Sequence, residues 1–276
     1  WPIEKADLLP TRDEYLTDLQ LILEGQMVDV VPEDNGQVLL FPTTAPRQEM
    51  LALKDEFGFV NVEKLAAEVP RLGLVKELVE RYHFHHWELE YSDLFADRGG
   101  FDLTLGNPPW IKVEWNEGGL MGDLDPLFIL RKLTASKLSE FRQEALIRYN
   151  AVGDYLSAFE GQEGSQQYLN SLQNYHLLSG QKANLYKCFI PQAWLIGATG
   201  GVAGFLHPEG VYDDPNGGVF RQYIYGRLRA HFQFVNVKKL FAEILHWVTY
   251  SINIYGSIRN APEFVHMANV YYPSTI

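Results

Sequence analysis

Only one cysteine, Cys188, stands in the 276 residues. No internal disulfide can form, and a reducing, cytoplasmic setting is expected. Long apolar runs are missing too: none approaches the ~20 residues a membrane helix needs, and no signal peptide is visible. Positive charge is scarce. The 23 Lys and Arg against 35 Asp and Glu leave a net charge of −12, which speaks against the whole chain clamping a nucleic acid. The deficit is uneven. Residues 1–100 hold 9 basic against 20 acidic side chains, a net of −11; residues 101–276 hold 14 against 15, a net of −1. Residues 1–100 also lack a Gly-x-Gly at any strand–helix junction. The chain opens on Trp1 instead of Met, which reads as a piece of something longer. What is present is ordinary for a globular protein, 46% hydrophobic and 21% charged, and long enough for one large or two small domains.

Residues 101–110, Phe-Asp-Leu-Thr-Leu-Gly-Asn-Pro-Pro-Trp, organise the reading. Phe101, Leu103 and Leu105 between glycines predict a short buried strand. Asn107-Pro108-Pro109-Trp110 cannot continue it. Two prolines remove two backbone donors and fix φ, and Pro109 keeps Pro108 out of the α region. The result is a stiff extended loop at the carboxyl end of a strand, where open α/β sheets bind ligands.

Asn-Pro-Pro-aromatic after an Asp-containing strand resembles the motif of amino-methyltransferases that use S-adenosylmethionine. The wider run His85-His86-Trp87-Glu88-Leu89-Glu90, Asp93-Leu94-Phe95, Gly100-Phe101-Asp102 and Asn107–Trp110 is similar to large adenine-specific DNA methyltransferases of restriction–modification and phage-defence systems, over roughly residues 80–276. The resemblance implies an α/β fold: a partial Rossmann-like methyltransferase sheet with helical insertions. It also implies S-adenosylmethionine as cofactor and double-stranded DNA with a flipped adenine as substrate. The partners it implies are the remainder of the methyltransferase and a target-recognition domain.

The chemistry fits the residues. An exocyclic amino nitrogen is a poor nucleophile while its lone pair is delocalised into the ring. The Asn107 side-chain carbonyl and the Pro108 backbone carbonyl can each accept one of its hydrogens and draw it towards tetrahedral geometry, an electrostatic preorganisation. Pro109 fixes the Pro108 carbonyl, and Trp110 offers a face on which a base stacks for about 1–3 kcal/mol. Lys112, the nearest basic residue, is a candidate for a flanking phosphate. By resemblance Asp93, read as a loop residue, lies near the adenine end of the cofactor, and Phe241 stacks on the flipped base opposite Trp110. The basic residues Arg221, Arg227, Arg229, Lys238 and Lys239 form a second candidate for phosphates.

In chain order, residues 1–80 read as an acidic, mainly helical segment: a helix at 12–24 capped by Thr11, a hairpin at 26–31 and 37–41, and helices at 46–56 and 62–82 interrupted by Pro70. Residues 81–276 read as the catalytic-motif half of the methyltransferase domain. A strand is expected at 84–91, with His83, His85 and His86 packed or at the surface and no metal site. A helical insertion follows over 111–180, with Gly118, Gly119 and Gly122 as a flexible lid and helices at 126–160 and 164–178. Then come a helix ending at Ile196 and a strand at 202–206. The Gly197–Gly201 run precedes that strand, so it is not a phosphate loop. A helix at 217–230, strands at 231–236 and 247–255, and, in 257–276, either a final strand pair or the departure into another domain complete the pattern. The leading function is N6-adenine methylation of DNA. N4-cytosine methylation, protein glutamine methylation and an inactive scaffold or DNA-binding fragment are the alternatives.

Overall fold

The computed structural model describes residues 1–24, 54, 57–182 and 184–276. The hairpin expected at 26–41 lies outside these residues. Of the helix expected at 46–56 only Lys54 is described, in an isolated bridge with Val60. The chain divides into two compact units, Trp1–His85 and His86–Ile276. No described helix is long and apolar enough to cross a membrane.

The first unit holds α1 (Arg12–Glu24), α2 (Val62–Glu68) and α3 (Pro70–Tyr82). Thr11 and Glu14 make a reciprocal capping box at the start of α1: the Thr11 N–H donates to Glu14 at 2.8 Å, and the Glu14 N–H returns to Thr11 Oγ1 at 3.4 Å. Pro70 sits at the first position of α3, where its missing N–H costs nothing; it divides two helices instead of kinking one. Leu21, Leu65 and Leu72 form the small core.

The second unit opens against expectation. No strand forms over 84–91. Trp87–Glu90 is one helical turn, and α4 (Ser92–Arg98) follows. The alternation of that stretch also satisfies helical spacing. Trp87 and Tyr91, four apart, stack at 5.9 Å and meet Phe101 edge-on at 5.6 and 5.3 Å. Asp93 is therefore in the first turn of α4, not in a loop.

The sheet contains β1 (Phe101–Gly106). It also holds β2 (Gly197–Pro208), β3 (Leu228–Val235), β4 (Thr249–Tyr255) and β5 (Val265–Val270), in the order β1-β2-β4-β3-β5. β1 and β2 are parallel, β4 runs antiparallel to both β2 and β3, and β5 is parallel to β3. This is an α/β architecture, a partial Rossmann-like sheet with helical insertions. The strand expected at 202–206 extends back to Gly197, and residues 257–276 supply one strand where a pair was one of the two expectations. On one face Ala203, Phe205 and Tyr255 pack under Ile190, Phe220 and Ile224 of two covering helices, α5 (Leu185–Ile196) and α6 (Gly218–Arg227). On the other, Phe234, Tyr250 and Val270 form a second core with Leu206, Phe232 and Ile252.

β1 is not the buried strand its sequence suggests. It pairs only with β2, and Leu103 and Leu105 are 56% and 70% exposed. Apolar alternation reports which side chains seek burial, not whether a layer covers them. Among the described residues, the sheet ends at β1 with an open edge.

β1 begins with a constraint on Gly100. Its φ is +137°, and a Cβ there would lie 2.4 Å from the Ile196 carbonyl oxygen and 2.9 Å from the Ala198 nitrogen. Both obstacles are backbone. Gly100→Ala should cost about 3 kcal/mol, the sum of strained φ/ψ and overpacking, and urea unfolding of the variant measures it.

The insertion is helical but broken differently from the expected pattern. Its longer helices are Glu117–Leu124, Ala135–Arg148 and Val152–Asn170, with single turns at Leu127–Leu130 and Leu172–Tyr175. The single helix expected over 126–160 is interrupted where Lys132 and Asn150 take positive φ. Gly118, Gly119 and Gly122 lie inside the first helix and form no loose lid. Asn116 caps that helix by accepting from the Gly119 N–H at 3.0 Å, and Gly122 leaves room for Ile129, whose Cδ1 a Cβ would meet at 2.3 Å. Glu117 anchors the helix pair by accepting from Arg142 and from the Tyr155 hydroxyl.

Candidate functional site

The loop Asn107–Trp110 leaves β1 beside the end of β2, at the carboxyl ends of the two parallel strands. It is tied on both sides. The Trp110 indole N–H donates to the Leu206 carbonyl at 3.3 Å, and the Leu185 N–H donates to the Ile111 carbonyl at 3.0 Å. Pro108 is buried, while Asn107 and Pro109 are exposed. Among the described residues, neither the Asn107 side chain nor the Pro108 carbonyl takes a hydrogen bond from the protein. Two acceptors are thus left open on a backbone the prolines hold stiff.

Phe241 does come to Trp110. The ring centroids are 5.1 Å apart with planes at 47°. Tyr250 joins them at 5.8 Å from Trp110 and 5.0 Å from Phe241. A base slotted between two rings needs about 7 Å, two van der Waals contacts of about 3.5 Å. The aromatic group is closed here, and a base between Trp110 and Phe241 requires one ring to move. Lys112 is exposed and forms an isolated bridge with Asn184, next to the loop. Asp93 is exposed in the first turn of α4. The five basic residues grouped in the sequence do not make one patch. Arg227 and Arg229 flank the start of β3, and Lys238 and Lys239 follow its end, about 23 Å along the strand. Among the described residues no cluster of three or more His, Cys, Asp or Glu is arranged to hold a metal ion.

Two residues at this edge escaped the sequence reading. Asn236 is fully buried. Its amide donates to the carbonyls of Phe241 and Ile244, both at 2.9 Å, and its Oδ1 accepts from the Phe241 N–H at 3.1 Å. One side chain thereby pins the segment that carries Phe241. Tyr250, in the middle of a β-like run, is buried with a hydroxyl that has no partner; burial raises its pKa. An asparagine after a strand ordinarily signals a turn, and only the fold shows that this one faces inward.

The other face of the sheet is held by a buried polar ladder. His207 is fully buried between Tyr255 and the end of β2. A carbonyl can only accept, so Nδ1 donates to the Pro208 carbonyl at 2.8 Å, and Nε2 of the neutral ring accepts from the Tyr255 hydroxyl at 2.8 Å. Burial pushes its pKa down to about 4. The unfolded ring takes up a proton below about 6.5, and the folded one only near 4. Between these values the unfolded state binds more protons, so stability falls as pH falls through that window. The loss should reach about 3 kcal/mol at pH 4. Urea midpoints between pH 7 and pH 4.5 should slope downward, and His207→Gln should flatten the slope.

No family model and no curated protein matches this sequence. Among solved structures, one from Listeria monocytogenes, provisionally described as a class I S-adenosylmethionine-dependent methyltransferase, is similar in part. The identity is 16% and the TM-score 0.26, over 32% of this chain and 28% of that one. The match spans well under half the length of either.

Proposed function

We propose that this chain carries the acceptor-activating half of a methyltransferase acting on the N6 amino group of a flipped adenine in DNA, within a restriction–modification or phage-defence system. One observation carries the reading. Asn107 and Pro108 present two open acceptors on a proline-stiffened loop at the carboxyl ends of parallel strands, beside Trp110. Two acceptors suit the two hydrogens of one amino group. Held this way, the nitrogen's lone pair is turned out of the ring and towards an electrophile, and no general base is needed before the bond forms. Trp110 and Phe241, once one ring has moved, provide the faces on which an extruded base rests.

S-adenosylmethionine would supply the methyl group. Among the described residues only Asp93 is a candidate to contact it, and one exposed carboxylate on a helix is not a cofactor site. The chain's own part is therefore activation of the acceptor nitrogen, and the groups that hold the donor are to be sought beyond the open edge of β1. The test is methyl transfer from labelled S-adenosylmethionine by the protein in its full natural length, offered mixed-sequence DNA. Label on adenine supports the reading. Label on a protein glutamine instead moves the chain to the amide methyltransferases, and no label on either leaves a scaffold.

A further inference from the structure

A second site lies at the opposite end of the sheet and does not depend on the reading of Asn107–Trp110. There, a cavity of about 260 Å³ is lined by Thr104, Trp194, Thr199, Arg227, Tyr255 and Ser257, among others. The Arg227 guanidinium lies over the Trp194 ring, its Cζ 4.7 Å from the ring centroid, with Tyr223 at 5.8 Å. A guanidinium over an aromatic ring can still direct its N–H donors in the plane of its fork. Among the described residues, Arg227 Nη1 is buried without an acceptor, and so is the Trp194 indole N–H. Two donors of neighbouring side chains on one cavity are left unmatched, whereas buried polar groups are nearly always paired.

The charge around the cavity points the same way. Arg229, two residues on, gives its donors only to backbone carbonyls: Arg227 at 3.0 Å, Leu228 at 3.2 Å, and Ser257. Carbonyls satisfy its hydrogen bonds, and Glu263, whose charge acts on it, is ion-paired to Arg259 instead. Of the three arginines gathered here, Arg259 alone has a carboxylate, the exposed Glu263 at 3.3 Å. In a chain of net charge −12, two partly buried guanidinium groups without an ion pair among the described residues are an uncommon concentration of positive charge. Burial disfavours the charged form of Arg227, a cost that a bound anion removes.

We propose that this cavity is an oxyanion site, taking one carboxylate or phosphate group against the Arg227 guanidinium and the Trp194 indole N–H. The planar fork suits two oxygens of one group, and the indole adds a neutral donor beside it. The ligand is either a free anion or an acidic side chain delivered from elsewhere, and the chemistry is the same for both.

The test is titration of the whole chain with sodium phosphate and, separately, sodium acetate, at constant ionic strength in chloride. The readout is the indole N–H resonance of Trp194, assigned with Trp194→Phe. A saturable downfield shift is expected, weakened at least about 10-fold in affinity by Arg227→Gln, the loss of one charge-assisted contact, and unchanged by Arg131→Gln. Saturation by phosphate alone identifies a phosphoryl ligand; saturation by acetate identifies a carboxylate. Shifts that stay linear in both anions, as they would if water alone serves these donors, overturn the proposal. So does saturation that survives Arg227→Gln. Should that variant fail to fold, Arg227→Lys decides: it keeps the charge and loses the planar fork, and an undiminished affinity there removes the guanidinium from the site.

Discussion

Asn107→Ala in the full-length protein should lower the rate of methyl transfer by about 10²–10³-fold, the usual effect of removing one preorganised group that matches charge developing in the transition state. The substitution deletes one of the two acceptors and leaves the Pro108 carbonyl in place. The amino group then keeps one hydrogen unmatched, and its lone pair stays largely in the ring. Folding should be nearly untouched, because Asn107 is exposed and makes no hydrogen bond to the described protein; surface changes of this kind stay within about 0.5 kcal/mol. Loss of rate without loss of stability is the signature to seek, by single-turnover transfer alongside urea unfolding. Asn107→Asp keeps an acceptor at the same place and should fall between wild type and alanine. A rate that survives Asn107→Ala would leave the loop as a turn and end the methyltransferase reading of this chain.

Asn236→Ala should be the most damaging single substitution for stability at this edge of the sheet, at about 4 kcal/mol. Three hydrogen bonds vanish at once, and each leaves a backbone donor or acceptor that costs about 1–3 kcal/mol when unmatched, with water recovering part. The damage should be local before it is global. Residues 237–248 should exchange their amide hydrogens through an opening much cheaper than full unfolding, while α5 and β2 keep their protection. Because that segment carries Phe241, the aromatic contact with Trp110 should loosen with it. Uniform loss of protection over the whole sheet would show instead that Asn236 is ordinary core.

These two residues also show what was legible in the sequence. Asn107 stands out as a candidate because the pattern that singles it out is local: a strand, two prolines and an aromatic in ten consecutive residues. The helix at 12–24 was legible for the same reason, since Thr11 and Glu14 complete their cap within four positions. Asn236 was hidden because its meaning comes from partners that a folded segment brings back to it. The 84–91 stretch failed for a different reason. Trp87 and Tyr91 can alternate along a strand or share a helix face, and Phe101, beyond the reach of local periodicity, decides between them. The exposure of Leu103 and Leu105 was invisible for the converse reason: side-chain pattern states a demand for cover, and the covering layer is a property of other segments.

The open edge of β1 has a consequence that belongs to colloid behaviour. An unpaired strand presents a row of N–H and C=O groups to any chain that passes, and natural proteins blunt such edges with lysine, proline or a bulge. β1 has neither lysine nor proline on its six residues, and its register shifts against β2 only between Phe101 and Leu103; its single charge, Asp102, is paired with Arg98 at 2.7 Å. Next to it stand two bare leucines. Among the described residues this edge is an adhesive strip in concentrated solution, ready for a second copy of itself. The handling of the protein, from the dilution of a refolding mixture to the choice of what to express it with, has to reckon with that strip.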